Sequence, residues 1–403
     1  MNTLTEPQSS IWRNQTFQIL FSSALFVAFS AQIYNLALPL LVYELTESSQ
    51  MMGWMRAVEF LPNLLLALFI GVIVDRVDKK RWSQAMLLGQ LLVVVCSYMA
   101  VEWLSQPLWV LFPAAFLMMA FNYGYANARM TMLKQALPQQ VQNTAVARMS
   151  SLSSVMETIG PVLSGVLMIM SAIHNVFLVV AILLLLAYWQ LERMTLSPSE
   201  PAKWQGIWVA LTEGWTVFRA EKNMWHITLA VMVINTTGAV FWIQAIFFAK
   251  SQLAFNSVEV SYMIAASGIG GLIGSFSADR VRKKIGLGVL LIASITLEAV
   301  GFLVPLMIAN VWGLVMSFLW ISAVGLFSSI CIWTYRQEVF EQQYLGRVAG
   351  ITGSLFKLLM PVGLAASGYI TVIFGVEVVF SACFVIQLLV AAVLCMTQVR
   401  KIS

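Results

Sequence analysis

Gly71-Val-Ile-Val-Asp75-Arg76-Val-Asp-Lys79-Lys80-Arg81 and Ser275-Phe-Ser-Ala-Asp279-Arg280-Val-Arg-Lys283-Lys284 are two copies of one pattern within a 403-residue chain. Each copy closes an apolar stretch with Asp-Arg-Val and then a basic run. Two further correspondences keep nearly the same separation. Arg129 matches Arg336 ahead of a polar loop, and Pro161-Val-Leu-Ser-Gly165 matches Pro361-Val-Gly-Leu-Ala-Ala-Ser-Gly368. The three offsets are 204, 207 and 200 residues. Repeats at one spacing and at equivalent places imply two related halves.

Composition says what the halves are made of. The chain is 60% hydrophobic and only 10% charged, far below what a water-facing surface needs. A bilayer crossing takes about 20 mostly apolar residues, so twelve crossings with short connections use nearly the whole chain. The expected organisation is a six-helix half over 1–192, a linker over 193–223 and a second six-helix half over 224–403. The linker carries Pro198, Pro201 and an amphipathic run with Trp204, Trp208 and Trp215, which suits the headgroup layer.

Basic residues set the orientation. Of 23 lysines and arginines, Lys250 alone falls in a loop on the opposite side, while Arg56 and Lys357 lie within spans. The positive-inside rule then puts both termini in the cytoplasm. The net charge of +5 is scattered through short loops, so a nucleic-acid partner is not expected. Glu6 and Arg13 precede the first apolar segment without a cleavage site, so no cleaved signal peptide is expected. Cys96, Cys331, Cys383 and Cys395 stand in apolar segments without metal-ligand spacing, which predicts neither disulfides nor a metal site.

The Gly71, Asp75, Arg76 and Lys79–Arg81 pattern resembles the loop signature of the Major Facilitator Superfamily, and the repeat extends the likeness over essentially the whole chain. The resemblance implies an all-α membrane protein of twelve transmembrane helices in two pseudo-symmetric six-helix halves. It also implies a gating role for Gly71, Asp75, Arg76, Lys79, Lys80 and Arg81 and, in the second copy, for Asp279 and Arg280. There Ser275 stands where the first copy has Gly71. Gly160-Pro161-Val-Leu-Ser164-Gly165 resembles the Gly-Pro motif of exporters and antiporters in this superfamily, with Ser164 in place of a glycine. The text from Arg129 to Pro138 and from Arg336 through Leu345-Gly346-Arg347-Val348 looks like the branch that holds macrolide efflux proteins and enterobactin exporters.

A charge inside the bilayer costs about 2.5–3.5 kcal/mol on insertion scales, so each one needs a partner or a use. Glu157 and Lys357 lie four residues before Pro161 and Pro361; they are candidates for proton coupling or for attracting an anionic substrate. Arg56 and Glu59 are spaced for a local pair on span 2. Glu298 stands on span 9, a peripheral helix in the family, and is the weaker candidate. Spans 1, 4, 7 and 10 line the family's cavity and here offer Gln32, Asn35, Asn122, Tyr123, Asn235, Trp242, Gln244, Trp320 and Trp333, a set suited to a bulky, hydrogen-bonding, partly apolar ligand.

The expected function is export of a small molecule, a siderophore or a lipophilic drug-like compound, across the bacterial inner membrane by proton antiport. Import of a small organic solute is the alternative on the same fold. The chain has two histidines, no phosphate loop and no nucleophile–base set, so it is not expected to be an enzyme or to hold a cofactor. Its expected partners are the substrate, protons and lipid, and the protein is expected to be a monomer.

Overall fold

Asn14, Ser48, Asp78 and Asn310 each turn a side-chain oxygen back onto a backbone N–H at the start of a helix. They satisfy donors that have no partner within the first turn. Asp78 accepts from the Arg81 amide at 2.7 Å, so the second aspartate of the loop signature works as a helix cap. The computed structural model describes residues 11–66, 70, 73–74, 76–169, 172–195 and 207–402. Among them the regular structure is helical, in fourteen α-helices and three short 3-10 turns, with no strand. Hydrocarbon offers no hydrogen bonds to a backbone, which leaves helices as the economical way to cross it.

The helices are α1 (Gln15–Thr46), α2 (Ser49–Leu65), α3 (Lys79–Trp103), α4 (Leu108–Ala136), α5 (Gln139–Ile169), α6 (Val176–Glu192), α7 (Ile207–Ala220), α8 (Lys222–Ser251), α9 (Ser257–Ile285), α10 (Leu287–Met307), α11 (Val311–Val339), α12 (Gln342–Leu355), α13 (Met360–Phe374) and α14 (Val376–Met396). Nine helical segments among the described residues are long and apolar enough to cross a membrane, with Tyr344–Phe374 counted as one. The crossings outside that set are α2, α5 and α9, whose described stretches are shorter; in α9 that stretch, Tyr262–Ala278, is itself apolar. These helices, with α13, form the seam between the halves: α2 packs on α13 and α5 packs on α9.

Within the first half α1 packs on α5 and α6, α3 on α4 and α6, and α2 on α4; within the second, α8 packs on α13 and α14, α9 on α11, and α10 on α11 and α14. Lys80 and Gln84 of α3 both bond to Glu192 at the end of α6, Lys80 through the backbone carbonyl at 2.8 Å. A cation suits the carbonyl end of a helix dipole. Arg280 donates to the Phe276 carbonyl of its own helix at 3.3 Å. The end that bears Lys79–Arg81 and Arg282–Lys284 is called here the basic end, and the other the far end.

Helix α7, between the halves, lies against α12. Glu213 and Arg347 are 2.5 Å apart, and Trp215 meets the rings of Phe218 and Trp225. Trp204 and the side chain of Trp208 lie outside the described residues.

Span 11, read from the sequence as continuous, is broken between α12 and α13 at Phe356–Leu359. The cause is Pro361, at the start of α13. It has no N–H to give the Lys357 carbonyl four residues back, and that carbonyl accepts from the Met360 amide instead, at 3.2 Å. The chain tightens into short i→i+3 turns, and the Phe356 carbonyl takes the Asn235 side-chain amide of α8 at 3.2 Å. In the other half α5 runs unbroken past Pro161.

Candidate functional site: a cavity on the seam

At the far end the halves are locked by backbone contact and one buried amide. A Cβ placed on Gly53 would lie 2.5 Å from the Leu364 carbonyl oxygen, and one on Gly368 would lie 2.7 Å from the Gln50 Cα. Only glycine lets α2 and α13 cross this closely. Beside this crossing Gln244 of α8, fully buried, accepts from Ser49 of α2 at 2.8 Å and from Thr371 of α13 at 3.0 Å, and donates to Ser367 at 3.1 Å. Tyr43 meets Phe247 edge-on nearby.

Below that closure lies a cavity of about 870 Å³. The first half contributes Arg56 and Phe60 from α2 and Val155 and Ile159 from α5. The second half contributes Asn235, Gly238 and Trp242 from α8, Ser267, Gly271, Leu272 and Ser275 from α9, Glu298 from α10, Ser322, Gly325 and Leu326 from α11, and Lys357 and Met360 at the break in span 11. Aliphatic and aromatic walls carry a few hydroxyls, one amide and three charged groups. Cavities of about 300–1,000 Å³ are the range that takes up whole organic ligands.

The charges are placed differently from one another. Arg56 bonds to Glu59 at 2.6 Å, with 11% and 2% of their side chains exposed, as the spacing predicts. Its guanidinium also lies 4.8 Å from the ring centre of Trp242 in the other half, a cation–π contact worth about 0.5–2 kcal/mol. Glu59 faces a second, very small pocket with Tyr34, Asn35 and Asn122. Glu298 is buried, lines the large cavity and has Gln387 of α14 as a hydrogen-bonding partner. Its carboxyl carbon would be 3.7 Å from a Cβ on Gly325, so the missing side chain at that position opens the path from α10 to the cavity. Lys357 is exposed on the cavity wall.

The other sequence candidates divide. Asn235 and Trp242 stand on the cavity wall, while Asn35 and Asn122 stand with Glu59 in the small pocket. Four others stand off both pockets. Gln244 belongs to the far-end closure. Trp320 is 40% exposed on the outside of the bundle, its indole N–H bonded to the Leu297 carbonyl at 2.7 Å. Trp333 is 59% exposed beneath the Arg336 guanidinium, 4.0 Å from its ring centre. Tyr123 packs on Ile70, Val74 and Ala128. Aromatic residues on a cavity helix can face any side of it, and the letters alone do not choose.

Gly160 is buried against α1, where a Cβ would run into Gln32; Ser164 donates to the Gly160 carbonyl at 2.8 Å. The exporter-like stretch thus fits α5 to α1, and Ile159 beside it reaches the cavity. Gly71 and Asp75, the side chains of Glu157, Pro161 and Asp279, and the surroundings of Gly165 lie outside the described residues. Lys79 is buried, and both it and Arg76 have partners. From sequence alone Glu298 ranks low, because span 9 is peripheral in the family; the signal that raises it is Gly325 on the neighbouring helix, which has no side chain to cover the carboxyl group.

Residues 20–363 match the family model of the Major Facilitator Superfamily. The chain belongs to that superfamily. This transporter is not an enzyme, and its fold is the twelve-helix fold of the family. Among curated relatives it is 25% identical over 385 residues to macrolide efflux protein A of Streptococcus pyogenes, covering 89% of this chain and 87% of that protein. It is 26% identical over 343 residues to macrolide efflux protein A of Enterococcus faecalis, covering 78% and 99%. Among solved structures it is similar to a bacterial homologue of the iron transporter ferroportin in its inward-facing state, with a TM-score of 0.73 at 13% identity, covering 96% of this chain and 99% of that one. The transporter is therefore a multi-pass membrane protein that handles small molecules.

Proposed function

We propose that this transporter is a secondary active exporter of bulky lipophilic compounds, working by alternating access with inward proton flow as the driving force. The observation that carries the reading is the seam cavity of about 870 Å³, walled by both halves and closed at the far end. A site built at the junction of two rigid bodies changes its exposure when they rock. Apolar and aromatic walls with scattered hydroxyls suit a macrolide-like solute, and the efflux relatives support the outward direction. Lys357 on the cavity wall favours a second cargo class, a siderophore bearing carboxylate or catecholate groups.

In this reading residues 1–192 and 224–403 are the moving halves, 193–223 tethers them, and the protein works as a monomer in the bacterial inner membrane with both termini cytoplasmic. Asp75, Arg76 and the second-copy Asp279 and Arg280 latch the basic end when the far end opens, and Glu157 remains a coupling candidate from the sequence. The test is export of a radiolabelled macrolide and of a labelled catecholate siderophore from cells with and without the protein, each with and without a protonophore. Protein-dependent efflux abolished by the protonophore is expected; protein-dependent accumulation refutes the export direction.

A further inference from the structure

Glu298 belongs to a polar cluster that is short of one donor. Its Oε2 is buried without a hydrogen-bond partner, and so is the Oε1 of Gln387. Gln387 Nε2 donates to Thr237 Oγ1 at 3.2 Å, and Thr237 passes its own hydroxyl hydrogen to the Ile234 carbonyl at 2.9 Å. The Gln387 amide nitrogen is thus shared between Thr237 and the carboxyl group, and two buried acceptors, Glu298 Oε2 and Gln387 Oε1, stay orphaned. A buried acceptor left unpaired costs about 1–3 kcal/mol, more when charged. A single proton on Glu298 removes the charge and supplies the missing donor.

We infer that Glu298, held by Gln387 and opening past Gly325 into the seam cavity, is the proton-binding site of this transporter. The inference rests on the proton-antiport reading and moves the coupling group from the sequence candidate Glu157 on α5 to α10. The groups facing it are few. On α14 it is Gln387, and one turn back the buried thiol of Cys383 is turned to the Thr237 carbonyl at 3.7 Å; on α11 it meets Gly325, and α9 brings the cavity serines. The charged groups that share the cavity with it are Lys357 and Arg56, and Arg56 is already joined to Glu59. Proton occupancy thereby changes the charge of the wall on which the cargo sits. A carboxylate there favours a cargo cation or a proton in turn, which is the exclusion that exchange requires.

The test is infrared difference spectroscopy of the full-length protein in lipid as the pH is stepped, reading the stretch of a protonated carboxylic acid, beside pH-gradient-driven uptake of radiolabelled macrolide into proteoliposomes. The band is expected to vanish in Glu298→Gln and to persist in Glu157→Gln. Gln387→Leu keeps the acid and deletes its donor; loss of one hydrogen bond to a charged group moves the midpoint up by about one to two pH units. A band that persists in Glu298→Gln, or a midpoint unmoved in Gln387→Leu, overturns the inference and leaves the antiport reading standing. Wild-type uptake indifferent to the pH gradient overturns the antiport reading, and the coupling role of Glu298 with it.

Discussion

Replacing Gly368 by alanine should unlock the far end. The new Cβ would meet the Gln50 Cα at 2.7 Å and the Ser49 carbonyl oxygen at 2.8 Å, and both neighbours are backbone. Neither can rotate aside, so α2 and α13 must separate by roughly half an ångström or more to reach ordinary contact. Overpacking of this kind costs about 1–3 kcal/mol. Ser49 is also the residue that donates to Gln244 at 2.8 Å, and stretching that bond past its useful range forfeits about 1 kcal/mol. Together about 2–4 kcal/mol leaves the closed state, which at 1.4 kcal/mol per factor of ten moves the closed-to-open ratio about 30- to 700-fold. The assay is double electron–electron resonance between spin labels at Glu47→Cys and Gln252→Cys, exposed positions at the far ends of α1 and α8, with Cys96, Cys331, Cys383 and Cys395 replaced. A longer distance population should dominate in Gly368→Ala. An unchanged distribution refutes the argument that glycine contact sets the closure.

Arg56→Ala strands Glu59 in a buried site, so unfolding should cost about 3–5 kcal/mol less than in the wild type, whereas the Arg56→Ala, Glu59→Gln double variant should recover most of it; thermal unfolding followed by tryptophan fluorescence reads both. Gln244→Leu removes the shared partner of Ser49, Ser367 and Thr371, and about 1–3 kcal/mol of stability should go with it; Gln244→Glu, which keeps the accepting oxygen but turns a carboxylate oxygen to Ser367 in a buried place, should lose at least as much at neutral pH. Pro361→Ala restores an N–H opposite the Lys357 carbonyl, so helix should form through Phe356–Leu359, with slower hydrogen exchange there and lower export; unchanged exchange would tie the break to something other than the proline.

The fold was legible because its signals are long-range and repeated. Two Asp-Arg-Val cores 204 residues apart, with the span composition, fix the duplicated architecture without any knowledge of contacts. The pairing of Arg56 with Glu59 was legible for a local reason, since a spacing of three residues on a helix brings such side chains together. What the letters could not carry is which way a helix faces. Trp320 and Trp242 look equivalent in sequence, yet one points away from the cavity and the other stacks under an arginine. Glu298 could be placed only by knowing that Gly325 leaves a gap beside it. The break in span 11 is not legible from proline alone: Pro361 sits at a break, but its counterpart Pro161 stands in an unbroken helix. Whether the neighbouring turns give way depends on a partner such as Asn235 for the released carbonyl.

The glycine crossing at the far end also bounds how this chain can vary. Gly53 meets the backbone of α13, and Gly368 meets the backbone of α2. A larger residue at either position therefore faces no side chain that could shrink to make room for it. Such a change is accommodated only by moving a whole helix, and the Ser49–Gln244 bond beside the crossing moves with it. Closure at this end is written into the main chain, whereas the cavity below is walled by side chains and can be reshaped for another cargo without touching the lock.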